Sequence, residues 1–175
     1  MAPDPVGLPD GFSIRAAAPA DVPVLLGFIR SLAEYERLSH ELSATEEGLL
    51  GTLFGPRPSA EVILGEHHGS PVAFALFFQN YSTFLARPGL HLEDLFVVPE
   101  FRGRGFGTAL LVHLAGMARD RGCGRLEWQV LDWNEPALRF YRSLGAVPMS
   151  AWTTMRVTGG ALGRLADGPV KDAIL

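Results

Sequence analysis

The chain has 175 residues and a formal net charge of −4, one domain's worth of sequence without the positive field that attracts phosphate backbones, so nucleic acid is not an expected partner. Hydrophobic residues are 47% and charged residues 19% of it, a globular balance and not a disordered one, and the single cysteine, Cys123, leaves no internal disulfide framework or thiolate metal cluster to expect. No apolar run approaches the roughly 20 residues of a membrane span and residues 1–10 lack a secretory pattern, so a cytoplasmic protein with no membrane partner is expected.

Residues 12–16 read as a short strand. Pro19 then suits a first helical turn, Asp21 lies near the positive helix end, and Val22, Leu25, Leu26, Ile29, Leu32 and Ala33 set an apolar stripe for a helix to about Tyr35. Ser43 and Glu46 have capping-box spacing for a second, shorter helix that stops at Gly55 and Pro56. Residues 61–65 and 71–78 are β-rich runs joined by His67, His68, Gly69 and Ser70, a hairpin composition, and residues 90–98 form another strand closed by Pro99. A helix from Gly105 to near Gly122 and a strand over 126–131 complete a strand, helix, strand unit. Asn134 is placed to cap a further helix carrying Ala137, Phe140, Tyr141 and Leu144 on one stripe and ended by Gly145, and residues 152–157 read as the last strand. The sum is a mixed sheet with helices packed on it, with 1–11 and 158–175 as mobile ends.

The strongest chemical signal is the turn Arg102, Gly103, Arg104, Gly105, Phe106, Gly107 and Thr108 between a strand and a helix. Unpaired amides at a helix start, approached over glycines, make an anion cradle, and two arginines can add charge-assisted contacts. Taken alone, such a turn reads as readily as a solvated connection. The Gly-Lys-Ser or Gly-Lys-Thr ending of a Walker loop is absent, and a dinucleotide fold would carry its glycines after the first strand, so a different phosphate ligand is implied.

Arg102, two intervening residues, Gly105, one intervening residue and Gly107 together resemble the acetyl-CoA signature of the GCN5-related N-acetyltransferases; LEDLFV at 92–97, LDWNEPALRFY at 131–141 and LGA at 144–146 resemble their diamine and thialysine branch. The resemblance implies an α/β (α+β) fold with a single mixed, mostly antiparallel sheet of six to seven strands and about four helices, in one domain over 12–157. It implies acetyl-CoA as cosubstrate, no metal, a small-molecule amine as acceptor, and a homodimer. Gly103, Arg104, Gly105, Phe106, Gly107 and Thr108, led by Arg102, would cradle the pyrophosphate. Leu95, Phe96 and Val97 would pair with the pantetheine arm like an added strand, and Asn134, Glu135, Pro136 and Ala137 would line its other side.

Amide formation needs a neutral amine, while an alkylamine near pKa 10 is mostly protonated, so a base is required. By resemblance Glu93 is that base; the alternative from strand alternation is a solvated carboxylate with Asp94 on the other face. Tyr141 resembles the family's general acid for the departing thiolate, although its spacing alone makes it one more aromatic of an apolar stripe. Tyr35, Glu36, Glu93, Glu127, Trp128 and Gln129 resemble the places where the branch holds its acceptor. Ser82 stands where polyamine enzymes tend to place an acid, so a lysine-like or thialysine-like amino acid is expected alongside diamines and polyamines. Within the same fold the alternative is acetylation of a protein amine, and from another class a catalytically silent acyl-CoA sensor. His67 and His68 lack carboxylate or cysteine at ligand spacing; His40, His91 and His113 read as ordinary surface or half-buried residues, and Cys123 as packing.

Overall fold

The computed structural model describes residues 7–168, which fall into two compact units dividing after Leu131. Expectations for residues 1–6 and 169–175 lie outside the described residues.

The first unit is built on one five-stranded sheet in the order β1 (Phe12–Ala16), β2 (Glu61–His67), β3 (Ser70–Ser82), β4 (Arg87–Val97), β5 (Leu126–Trp128). Neighbours from β1 to β4 are antiparallel, and β4 runs parallel to β5, joined through α3 (Phe106–Asp120). The expected class is thus observed, with five strands among the described residues where six to seven were expected. Arg15 on β1 donates to Glu66 at 2.8 Å and to Asp21 at 2.6 Å. The Asp21 carboxylate also accepts from the Ala18 amide at 2.7 Å, so the expected acidic helix start serves as a tie between strand and helix, and the Arg15 guanidinium holds it below the usual carboxylate range.

Behind Asp21, α1 (Val22–Tyr35) and α2 (Glu46–Phe54) cover one face of the sheet: Leu25, Phe28 and Leu53 pack with Val62, Leu64, Phe74 and Phe96. Thr45, not Ser43, caps α2, its hydroxyl accepting from Gly48 N at 3.1 Å, because Thr45 is the extended residue immediately before the first helical turn. The β2–β3 hairpin turns at His68 and Gly69, both with positive φ (50° and 78°), as a two-residue primed turn requires. His67 beside it packs against Phe101 and Phe106 at 5.5 and 5.4 Å between centroids, and Phe106 stacks on Phe12 at 4.1 Å, bracing the start of α3 from below.

One irregularity decides what the sheet can do. Phe77 pairs with Leu92 but Leu76 pairs with Asp94, so Glu93 is an extra residue in β4, a β-bulge. Directly paired residues share a face; Leu92 therefore goes with Phe77, while Asp94 and Phe96 go with Leu76 and Phe74 on the α1 face.

The second unit contains α4 (Glu135–Ser143) and α5 (Gly159–Asp167). Asn134 caps α4 as expected, its side chain accepting from Ala137 N at 3.3 Å, and Gly145 follows the helix with φ 88°. Residues 152–157, expected as a strand, form none, and the expected tail contains α5 instead. β-rich composition makes a strand only where a ladder partner stands beside it.

Candidate active site

Gly103 and Gly105 adopt φ of +74° and +83°, a left-handed conformation that disfavours other residues, and Gly105 is the residue on which α3 begins. Among the described residues, chain neighbours aside, no atom lies within 4 Å of where a Cβ on Gly103 would be, and Pro9 Cγ, at 3.5 Å, is the one that comes near a Cβ on Gly105. The first-turn amides of α3, at Phe106, Gly107 and Thr108, belong to the group that a helix leaves without internal partners, and they open onto this bare turn at the positive end of 15 residues of helix. A diphosphate fits such a surface.

Arg102, expected to lead the cradle, directly precedes the first glycine of the turn. Its Nε donates to the Val97 carbonyl at 2.9 Å and its guanidinium lies 4.8 Å from the Tyr35 ring centre and 5.7 Å from that of Phe96. Those contacts pin the turn to the end of α1. Arg104 rests over Phe101 at 5.1 Å.

Alongside the turn, β4 has an open edge. β5 matches it only at Leu90, His91 and Leu92, and no strand among the described residues pairs with residues 95–97 on the side away from β3. Val98 N donates to Val72 O, toward β3, so by alternation the amides and carbonyls of Val97 and Leu95 point out of the sheet edge. An extended amide-bearing arm can add there.

On the α1 face next to this edge, carboxylates gather. Glu93 is exposed on the bulge; Asp94 is half-buried, and its pKa is pushed up to about 6, first by desolvation and then by the charges of Glu93 and Glu36. Glu36, at the C-terminal end of α1, is itself raised by desolvation. Farther along, His91 Nε2 stands 3.6 Å from Glu93 Oε2, and His91 has Glu127 as its register partner on β5. Glu127 accepts from Asn80 Nδ2 at 2.6 Å and pairs with Arg125 at 3.2 Å. This bridge passes over Gly89, where a Cβ would run into the Asn80 amide oxygen. Ser82 stays out of the row: it is buried, and its hydroxyl accepts from Leu85 N at 3.3 Å.

Of the expected site residues, the first unit thus brings together Tyr35, Glu36, Glu93, Leu95, Phe96, Val97 and the turn 102–108. Trp128 closes β5, with Gln129 directly after it. In the second unit Asn134, Glu135, Pro136 and Ala137 build the start of α4, and Tyr141 is half-buried on it with its ring 5.3 Å from that of Phe140. Asp94 and His91 were not among the expected residues. Among the described residues no group of three or more His, Cys, Asp or Glu is poised to hold a metal, and no helix is long and apolar enough to cross a membrane.

Residues 26–146 match the model of the Acetyltransferase (GNAT) family. The chain belongs to that family. This acetyltransferase is 38% identical over 164 residues to the thialysine N-epsilon-acetyltransferase of Mus musculus, covering 87% of this chain and 96% of that protein. It is 36% identical over 194 residues to the L-ornithine N5-acetyltransferase NATA1 of Arabidopsis thaliana, covering 85% of each. Among solved structures, the V. cholerae integron cassette protein VCH_CASS6 superposes with a TM-score of 0.77 at 26% identity, over 90% of this chain and 99% of that one. GNAT acetyltransferases take their acetyl group from acetyl-CoA, and the open glycine turn and free strand edge are of the kind that donor requires.

Proposed function

We propose that this acetyltransferase moves the acetyl group of acetyl-CoA directly onto the terminal primary amine of a small, extended cation, either a lysine-like or ornithine-like amino acid or a diamine. The observation that carries the reading is the carboxylate group Glu36, Glu93 and Asp94 beside the open half of β4. Asp94, whose carboxyl pKa is pushed up by desolvation and by the charges of Glu93 and Glu36, marks a site whose electrostatic strain a guest ammonium relieves. The relatives named thialysine and ornithine acetyltransferases support an acceptor of that class.

In this reading the amides of residues 106–108 hold the pyrophosphate and the outward groups of Leu95 and Val97 hold the pantetheine arm. Glu36 and Asp94 hold the acceptor ammonium while Glu93 removes one proton from it. The neutral nitrogen attacks the thioester carbonyl, the C–S bond breaks, and the nitrogen's second proton is matched by one that Tyr141 gives the thiolate, so that one proton leaves overall. The homodimer implied by the resemblance and the cytoplasmic location expected from the sequence belong to the same proposal, and light scattering checks the first.

The test is thiol release from acetyl-CoA across a panel of ornithine, thialysine, diamines, polyamines and peptides. Transfer to a small diamine or basic amino acid is expected, with Tyr141→Phe keeping acetyl-CoA affinity and losing turnover. Exclusive transfer to peptides, or unchanged turnover in Tyr141→Phe, would overturn the corresponding part.

A further inference from the structure

We propose that His91 is a positioning residue of the acetyltransferase: it orients the Glu93 carboxylate and receives at Nε2 the proton that Glu93 takes from the acceptor, handing it on to solvent. The inference rests on Glu93 being the base, as read above.

The geometry is specific to these two side chains. Nε2 of His91 is 3.6 Å from Glu93 Oε2, a gap that a small rotation or one water closes, with the imidazole 18% and the carboxylate 56% exposed. Phe78, the cross-strand partner of His91 on β3, holds the imidazole by a ring contact at 4.9 Å. The other carboxylate near it, Glu127 on β5, is already engaged by Asn80 and Arg125, which leaves Glu93 as the acid His91 serves. The charged groups recorded beside this imidazole are Glu93 on its own strand and, across the register on β5, Glu127 with its partner Arg125, while β3 presents the uncharged Phe78.

The chemistry favours a relay. An alkylammonium near pKa 10 gives its proton to a carboxylate only against about six units, and an imidazole is a stronger base than a carboxylate by about two. Passing the proton on removes those two units from the climb and returns Glu93 to its ionised form while the amine is still bound. The balance is simple: the ammonium N–H bond breaks and a carboxyl O–H forms; that O–H breaks as N–H forms at Nε2; the imidazolium then loses the proton to water, and no electron pair leaves the acceptor nitrogen except to make the amide.

The experiment compares His91→Gln, which keeps a polar group beside Glu93 but cannot titrate there, with His91→Phe, which keeps a ring against Phe78. At saturating acceptor and acetyl-CoA, both variants are expected to lose about tenfold in kcat with KM for the acceptor within about twofold, and the acid limb of the kcat profile is expected to change position. Added imidazole is expected to restore part of the kcat of His91→Ala and none of that of Glu93→Gln. If both substitutions leave kcat and its acid limb as in the parent protein while Glu93→Gln still collapses turnover, the relay is wrong and the base assignment stands. If Glu93→Gln is itself fully active, the base assignment falls, and the relay with it.

Discussion

The two halves of β4 are made of similar residues and have opposite fates. From Arg87 to Leu92 the strand is flanked by β3 on one side and, at Leu90, His91 and Leu92, by β5 on the other, with Leu90 and Leu92 fully buried. After the bulge at Glu93 the strand keeps β3 but loses its outer neighbour, and its outward groups at Leu95 and Val97 face the glycine turn, where Val97 already accepts from Arg102. One half holds the sheet together; the other is a half-satisfied edge, and an edge next to a bare helix start is where a ligand with amides and phosphates adds most. The bulge makes the same division for acids, moving Asp94 onto the face it shares with Phe96.

Removing the carboxylate at the boundary is expected to have the largest effect. Glu93→Gln should lower kcat by about 10²- to 10³-fold with acetyl-CoA affinity unchanged, read by steady-state kinetics and calorimetry. A loss confined to acetyl-CoA binding would break the division of labour between the turn and the bulge.

Asp94 gives the next largest effect, with opposite signs in stability and binding. Its pKa is raised from 3.8 to about 6 in the folded protein, so between those values the folded state holds a proton that the unfolded chain has released, and stability falls as pH rises through that window. Above it the deficit is at most about 3 kcal/mol, about two units at 1.36 kcal/mol each. Asp94→Asn should therefore stabilise the ligand-free protein at pH 8, make little difference at pH 4, and raise the acceptor KM. Equal stabilisation at both pH values would show that desolvated charge is not the cause.

A smaller effect is expected at the turn. Gly105→Val places a β-branched residue at φ +83°, a strain on the order of 1–3 kcal/mol, and should weaken acetyl-CoA about tenfold while leaving the acceptor site as it is. Loss of acceptor binding at saturating acetyl-CoA would mean that the two regions are not separable.

Much of this was legible in the sequence. Strand 12–16, the helix after Pro19, the glycine turn and the Asn134 cap follow from local rules of periodicity and capping, and the structure repeats them. The bulge has no such signature, because an extra residue exists only relative to a partner strand; alternation along β4 accordingly set Asp94 apart from the site and gave His91 no role. Its one indirect trace is the acid pair Glu93 and Asp94 inside an apolar strand. The Asn80, Glu127 and Arg125 bridge depends on three strands at once and on Gly89 lying between them, which no local window contains.

Amide hydrogen exchange along β4, with and without saturating acetyl-CoA, tests the central claim most directly. The outward amides of Leu95 and Val97 should exchange readily in the free protein and become protected when the donor binds, while those of Leu90 to Leu92 stay as they were. Unchanged exchange at Leu95 and Val97 under saturation would contradict the assignment of this edge to the donor.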